Sequence, residues 1–293
     1  MLLTDIEFHE ANTLKEASQW MGQYAPNARL MAGGTDLLVD LKTGRYGTGH
    51  VVSLNRIASL RGLATSNGSL RIGALTTPNQ LWASTTIWER FPAILDAIRD
   101  MAVPQIRNMA TVGGNIAGAV PSGDLPPILI ALNASVILWS LSGEREVPLE
   151  DFFVGPRQTV RRDEEILTEI RLPYPPPRFG AAYAPFALRE ANGCAVASVA
   201  ASLQLDEKGI IRDARVCVGA VAPTPKLVKS AKAALVGKVA DKAAFRQAAE
   251  EAREMSQPIS DIRSSADYRR ELIGILTRRA LDSARQRALG GQQ

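Results

Sequence analysis

Apolar positions follow a helical period near the amino terminus, at Leu14, Ala17, Trp20 and Met21. This spacing keeps side chains on one helical face. Thr13 and Glu16 precede the pattern with the spacing of a capping box, in which each side chain bonds the other residue's amide. Arg29 to Ala32 then reads as a short strand entering Gly33 and Gly34, after which Leu37, Leu38 and Leu41 resume helical spacing until Gly44. His50 to Asn55 and Leu70 to Leu75 read as strands, with the turn pair Asn67-Gly68 ahead of the second. Thr77 places a capping hydroxyl before Pro78, a residue suited to the first helical position. A further helix begins at Pro92, turns Ile94, Leu95, Ile98 and Met101 inward, and ends before Pro104.

The pattern then changes. Thr111 to Gly123 is rich in small residues, including Gly113, Gly114, Gly118 and Gly123, and so permits close backbone approach. Pro126 and Pro127 precede the apolar run Ile128 to Leu132, and Ser135 to Trp139 and Ile166 to Leu172 read as strands. Pro173, Pro175, Pro176 and Pro177 mark a domain boundary. Beyond it, Ala195 to Leu205 and Ala214 to Val221 read as strands joined by the turn Glu207-Lys208-Gly209, and the pattern after Pro225 is helical. The expectation is an α+β chain of two domains. Residues 1–175 form the first, with subdomains of about 1–56 and 57–175, and residues 178–288 form a small antiparallel sheet with helices on one side.

Composition narrows the function. The chain has 293 residues, 46% hydrophobic and 22% charged, ordinary values for a globular protein. Its longest apolar stretch, Ile128 to Leu138, is interrupted by Asn133 and Ser135 and falls short of the roughly 20 residues that span a bilayer. The first residues lack the basic and apolar regions of a secretory signal, so a cytoplasmic location is expected. The net charge of +4 does not point to nucleic acid, because the arginines of the last third alternate with acids and aromatic residues are only 5%. Cys194 and Cys217 form no disulfide framework or cluster motif, and His9 and His50 read as surface or turn positions. No catalytic residue and no metal site is expected.

The candidate chemistry lies in two glycine pairs, Met31-Ala32-Gly33-Gly34-Thr35-Asp36 and Thr111-Val112-Gly113-Gly114-Asn115. Consecutive amides without side chains can converge on phosphate oxygens. Either pair alone reads more readily as a tight turn. Neither carries the third glycine of the dinucleotide-binding fingerprint. A helix terminus offers an anion about 0.3–1 kcal/mol, whereas nanomolar retention requires about 12 kcal/mol. Both loops and a buried ring would have to act together.

The run Gln105-Ile106-Arg107-Asn108-Met109-Ala110-Thr111-Val112-Gly113-Gly114-Asn115-Ile116, followed by Pro121-Ser122-Gly123-Asp124, resembles the signature of the FAD-binding subunits of molybdenum hydroxylases, of xanthine dehydrogenase and carbon monoxide dehydrogenase type. Ala32 to Asp36, Glu164 to Leu167 and the C-terminal domain extend the resemblance over nearly the whole chain. It implies a two-part FAD-binding domain of the vanillyl-alcohol oxidase and p-cresol methylhydroxylase type, followed by a small sheet-and-helix domain. It implies that Ala32, Gly33, Gly34, Thr35 and Asp36 cradle the pyrophosphate beside Leu30, Met31 and Leu37. Thr111, Val112, Gly113, Gly114 and Asn115 would form a second loop. Asp124 would contact the adenosine end, Met101 would flank the cofactor, and Leu167 would pack on the flavin.

The resemblance also implies partners. A small subunit with two [2Fe-2S] clusters and a large molybdopterin subunit would assemble with this chain as a dimer of heterotrimers, and electrons would leave the flavin for an external acceptor. Two positions depart from the family pattern: Pro185 stands where relatives often carry a lysine, and Gly193 where they carry an acid or amide, with Arg189 nearby. A self-sufficient FAD oxidase and a non-catalytic nucleotide-binding module are the competing readings.

Overall fold

The computed structural model describes residues 6–47, 49–189 and 193–290. Strands Glu7–Glu10, His50–Ser53 and Ala28–Met31 lie side by side in that order as a parallel sheet. Helix Leu14–Tyr24 packs on them and buries Ala17 and Met21 against Ala28, Val52 and Leu54. Its cap differs from the expected box in one bond. Thr13 Oγ1 accepts from the Glu16 amide at 3.1 Å, but the Glu16 carboxylate accepts from the Asn12 amide at 2.8 Å rather than from Thr13.

A second sheet is antiparallel, in the order Leu63–Ser66, Ser69–Gly73, Ile166–Pro173, Ser135–Ser140, Gly143–Pro148. Its central strand, Ile166–Pro173, is the last of the five in sequence, so the sheet is complete only when the domain is. Helices Pro92–Arg99 and Leu125–Ala131 share its core, where Leu95, Ile98, Ile128, Leu129, Val136, Leu138 and Ile170 are buried. Pro126 and Pro127 sit in the first turn of Leu125–Ala131, where an amide would have no helical partner. Thr77 and Gln80 form a complete capping box at helix Pro78–Trp82.

The third sheet is antiparallel, in the order Phe179–Phe186, Ala197–Leu205, Ile211–Gly219, Lys226–Leu227. Helices Lys229–Leu235, Lys242–Met255 and Ala266–Ala288 supply its own apolar cover, with Leu276, Ala280 and Leu281 buried. Tyr183, Ala200 and Cys217 belong instead to the core of the first domain. Both faces of the sheet are thus covered, which is why Ala197–Leu205 is buried almost without alternation.

Polar contacts fasten the domains together. Arg287, near the end of the last helix, holds Asp96 through two bonds of 2.7 and 2.9 Å and donates to the Ala181 carbonyl at 2.7 Å. Asp96 also accepts from the Tyr183 amide at 3.2 Å. Arg215 bonds Glu150 at 2.8 Å and the Ile130 carbonyl at 3.0 Å, satisfying the end of helix Leu125–Ala131. No helix among the described residues is long and apolar enough to cross a membrane.

Candidate functional site

The two glycine segments come together. The α-carbon of Gly33 faces the backbone of residues 109 and 110 so closely that a Cβ would lie 1.8 Å from the Met109 carbonyl oxygen. A Cβ on Gly114 would be 3.8 Å from that of Ala32, and one on Gly118 would be 3.9 Å from the Asp36 carboxylate. Between them opens a cavity of about 600 Å3, within the range of pockets that take a cofactor. Its wall includes Leu30, Ala32, Gly33, Gly34, Thr35, Asp36 and Leu37 from one side, Thr111, Gly113, Gly114 and Asn115 from another, and Leu167 from the central strand.

Met31 and Val112 stand behind this wall. The Met31 sulfur packs under Gly34, and Val112 is fully buried.

The two glycine pairs offer different groups. Gly34 has φ +72°, a left-handed conformation that turns successive amides toward one point. The amides of residues 33 to 37 bond no described residue, and Asp36 does not cap helix Leu37–Lys42 through its side chain. Five consecutive donors are left to the cavity. The second pair is not a turn but the first turn of helix Val112–Ala117. Its amides are occupied: Val112 donates to Thr76 O at 2.9 Å, Gly113 to Ala74 O at 2.8 Å, Gly114 to Thr111 Oγ1 at 3.0 Å and Asn115 to Thr111 O at 2.9 Å. Gly113 and Gly114 therefore serve proximity, since a Cβ on Gly113 would meet Ala74 at 2.6 Å. Asn115 contributes a functional group, because its buried Oδ1 has no partner.

Positive charge in this cavity comes from residues that no motif marked. Arg29, Arg157 and Arg161 all reach it. Arg157 pairs with the buried Asp40, which also meets Arg45 at 3.2 Å. Arg161 donates to the carbonyls of Arg162, Asp163 and Glu165, and burial lowers its pKa. The guanidinium of Arg29 lies 5.3 Å from the Tyr46 ring centroid. Burial raises the pKa of Asp36, an effect opposed by Arg157 and reinforced by Asp40. Segment 156–163 holds Arg157, Arg161 and Arg162 beside Asp163, a charge run that by itself reads as a solvated loop.

Met101 and Asp124 line a different cavity, of about 210 Å3, where the domains meet. Pro185, Phe186, Gly193 and the exposed Arg189 complete much of its wall. Tyr183 donates to Asp124 Oδ1 at 3.0 Å. Burial pushes the Asp124 carboxyl up to about 6, with the Tyr183 bond opposing and the Asp100 charge adding to the rise. The fully buried Tyr183 hydroxyl is itself raised well above its usual value by desolvation and by Asp124, so it remains protonated. Leu167 thus lies with the glycine segments and Asp124 with Met101, in two separate cavities.

Residues 4–175 match the family described as FAD binding domain in molybdopterin dehydrogenase. The chain belongs to this family. As such it is an FAD-binding oxidoreductase subunit, and residues 181–284 match the CO dehydrogenase flavoprotein C-terminal domain. The flavoprotein is 32% identical to the carbon monoxide dehydrogenase medium chain of Hydrogenophaga pseudoflava over 288 residues, covering 97% of this chain and 98% of that one. It is 32% identical to the xanthine dehydrogenase FAD-binding subunit of Escherichia coli O157:H7, covering 94% and 95% of the two chains. Among solved structures, carbon monoxide dehydrogenase from Hydrogenophaga pseudoflava lacking the Mo-pyranopterin moiety superposes with a TM-score of 0.93 at 34% identity, over 97% of this flavoprotein and 98% of that chain. The α+β fold expected from the sequence is the one found.

Proposed function

We propose that this flavoprotein seats the FAD pyrophosphate on the amides of residues 33 to 37, and that it carries electrons between an iron–sulfur partner and an external acceptor. The single observation that supports this seating is the row of five unpaired donors held open against the backbone of residues 109–110. Unpaired donors in a concave wall are costly unless a ligand or water meets them, and a diphosphate has the charge and the oxygens to do so. Asn115 Oδ1 and the arginines of the cavity add polar groups around the same place.

The ring end is assigned to the second cavity, opposite to the expectation drawn for Asp124 and Leu167. Met101 and Phe186 give apolar walls there, and Asp124 offers a carboxyl that holds its proton to about pH 6. Leu54, Leu75 and Leu167 at the other cavity would then enclose the adenosine. When bound, the flavin supplies the redox chemistry. The chain's own residues supply position, burial and hydrogen bonds. Pro185 gives that ring neither a charge nor a donor.

The partners assigned to the complex are the small subunit with two [2Fe-2S] clusters and the large molybdopterin subunit, in a dimer of heterotrimers. A cytoplasmic location goes with this assignment. The test is the variant Gly33→Ala. Its Cβ would meet the Met109 carbonyl and push the amides apart, so the purified variant is expected to lose the visible flavin absorption that the parent retains. Full flavin content in a folded Gly33→Ala chain would overturn the seating. Turnover of an aldehyde or purine by the isolated parent would replace the electron-transfer reading with that of a self-sufficient oxidase.

A further inference from the structure

The two histidines of the chain, His9 and His50, are 41 positions apart in sequence and meet in the fold. They do not occupy turns. His9 lies in strand Glu7–Glu10 and His50 opens the neighbouring strand His50–Ser53, where it is the register partner of Glu7. Residues two apart on one strand, and register partners on adjacent strands, present their side chains to the same face. Glu7, His9 and His50 therefore converge. His9 Nε2 is 3.1 Å from His50 Nδ1, and one Glu7 carboxylate oxygen is 3.5 Å from His50 Nδ1 and 3.9 Å from His9 Nε2.

Two ligand atoms of a tetrahedral ion with bonds of about 2.0–2.1 Å stand about 3.3 Å apart. The three separations fall around that value. The point about 2 Å from all three atoms lies in the plane they define, and a small inward turn of the exposed Glu7 carboxylate, with no strand moved, gives the pyramidal arrangement of a four-coordinate ion. Aromatic packing fixes the rings: Tyr24 stacks on His50 with centroids 3.8 Å apart, and Trp20 and Tyr24 each lie 5.2 Å from His9. The histidine side chains are only 17% and 18% exposed, whereas Glu7, at 72%, leaves a path from solvent.

We propose that Glu7, His9 and His50, none of which lines either cavity, bind a divalent transition-metal ion such as Zn2+. Two imidazoles and one carboxylate suit zinc and disfavour magnesium or calcium, which take oxygen ligands. Three protein ligands leave a fourth position to water. The ion would replace the contact between the two imidazole nitrogens. It would tie the edge strand Glu7–Glu10 to the centre of its sheet. The proposal is independent of where FAD binds.

The test is calorimetric titration of the FAD-loaded protein with ZnCl2, alongside His9→Gln, His50→Gln and Glu7→Gln. The expected result is one ion per chain in the micromolar range. Either histidine variant is expected to weaken binding by more than about 100-fold, and Glu7→Gln by about tenfold. Co2+ in place of Zn2+ should give the visible bands of a four-coordinate site in the parent and not in His9→Gln. Absence of binding below millimolar Zn2+ would overturn the proposal, as would equal affinity in His50→Gln with native flavin content. If the histidine variants lose flavin, the exposed Glu7→Gln decides: parental affinity there overturns the site.

Discussion

Asp124 gives the sharpest quantitative expectation. Its folded pKa is raised from 3.8 to about 6, so the folded state holds this proton more tightly than the unfolded chain does. Asp124 places no strain on stability below pH 3.8, where both states are protonated. Between pH 3.8 and about 6 the unfolded carboxyl ionises first and stability falls. Above pH 6 both are ionised and the full penalty persists. Two pKa units correspond to about 3 kcal/mol at 1.36 kcal/mol each.

Asp124→Asn cannot ionise, yet its amide oxygen still accepts from Tyr183. The variant is therefore expected to match the parent near pH 4 and to exceed it in stability above pH 6, by up to about 3 kcal/mol. Urea unfolding of the flavin-free forms at half-unit steps from pH 4 to 7.5 measures this difference, with every other carboxylate cancelling in the comparison. A difference that does not change with pH would show that Asp124 carries no raised pKa and would refute the reasoning. In FAD-loaded protein the Asn variant separates the proton from the shape of the site. A shift of flavin potential with unchanged occupancy is expected.

Two further outcomes follow from the packing. Arg287→Ala removes both bonds to Asp96 and leaves that mostly buried carboxylate with the Tyr183 amide and the exposed Arg99 at 3.6 Å. A loss of about 3 kcal/mol is expected in thermal or urea unfolding, and a loss below 1 kcal/mol would show that apolar packing alone holds the domains. Cys194 is exposed, whereas Cys217 is fully buried and its thiol pKa is raised by desolvation. A thiol reagent should modify one cysteine in the native protein and two in denaturant, and rapid native modification of both would contradict the shared core beneath the third sheet.

Elements with strong periodicity were legible in the sequence. The helix after Thr13, the helix from Pro92 and the long hairpin Ala197–Leu205 with Ile211–Gly219 all follow from apolar spacing and turn residues. Strand Gly143–Pro148 left no such signal, because as an edge strand it buries only Val147. Phe179–Phe186 was hidden for another reason: Gly180 and the alanines have low strand preference, and the helix Ala266–Ala288 requires that smallness. A Cβ at Gly180 would be 2.0 Å from the Ala284 carbonyl oxygen.

Helix Val112–Ala117 also escaped notice, since Gly-Gly disfavours helix; Thr111 and the carbonyls of Ala74 and Thr76 hold it instead. The candidate site was half legible. The glycine pairs marked where backbone must pass close, but strand order brings the histidine pair together, and tertiary contacts bring Arg29, Arg157 and Arg161 to the cavity. Nothing local announces them.

The bare row of amides at residues 33 to 37 bears on the life of the chain before it acquires its cofactor. The carbonyls of Gly34 and Asp36 accept from Leu38 and Asp40, but no described residue meets the amides, so in the empty chain they are left to water. Occupancy then acts as a thermodynamic brace: a ligand present at 100 times its dissociation constant adds about 2.7 kcal/mol to the folded side. A chain without its cofactor would accordingly be the more readily unfolded form, and the more open to proteolysis.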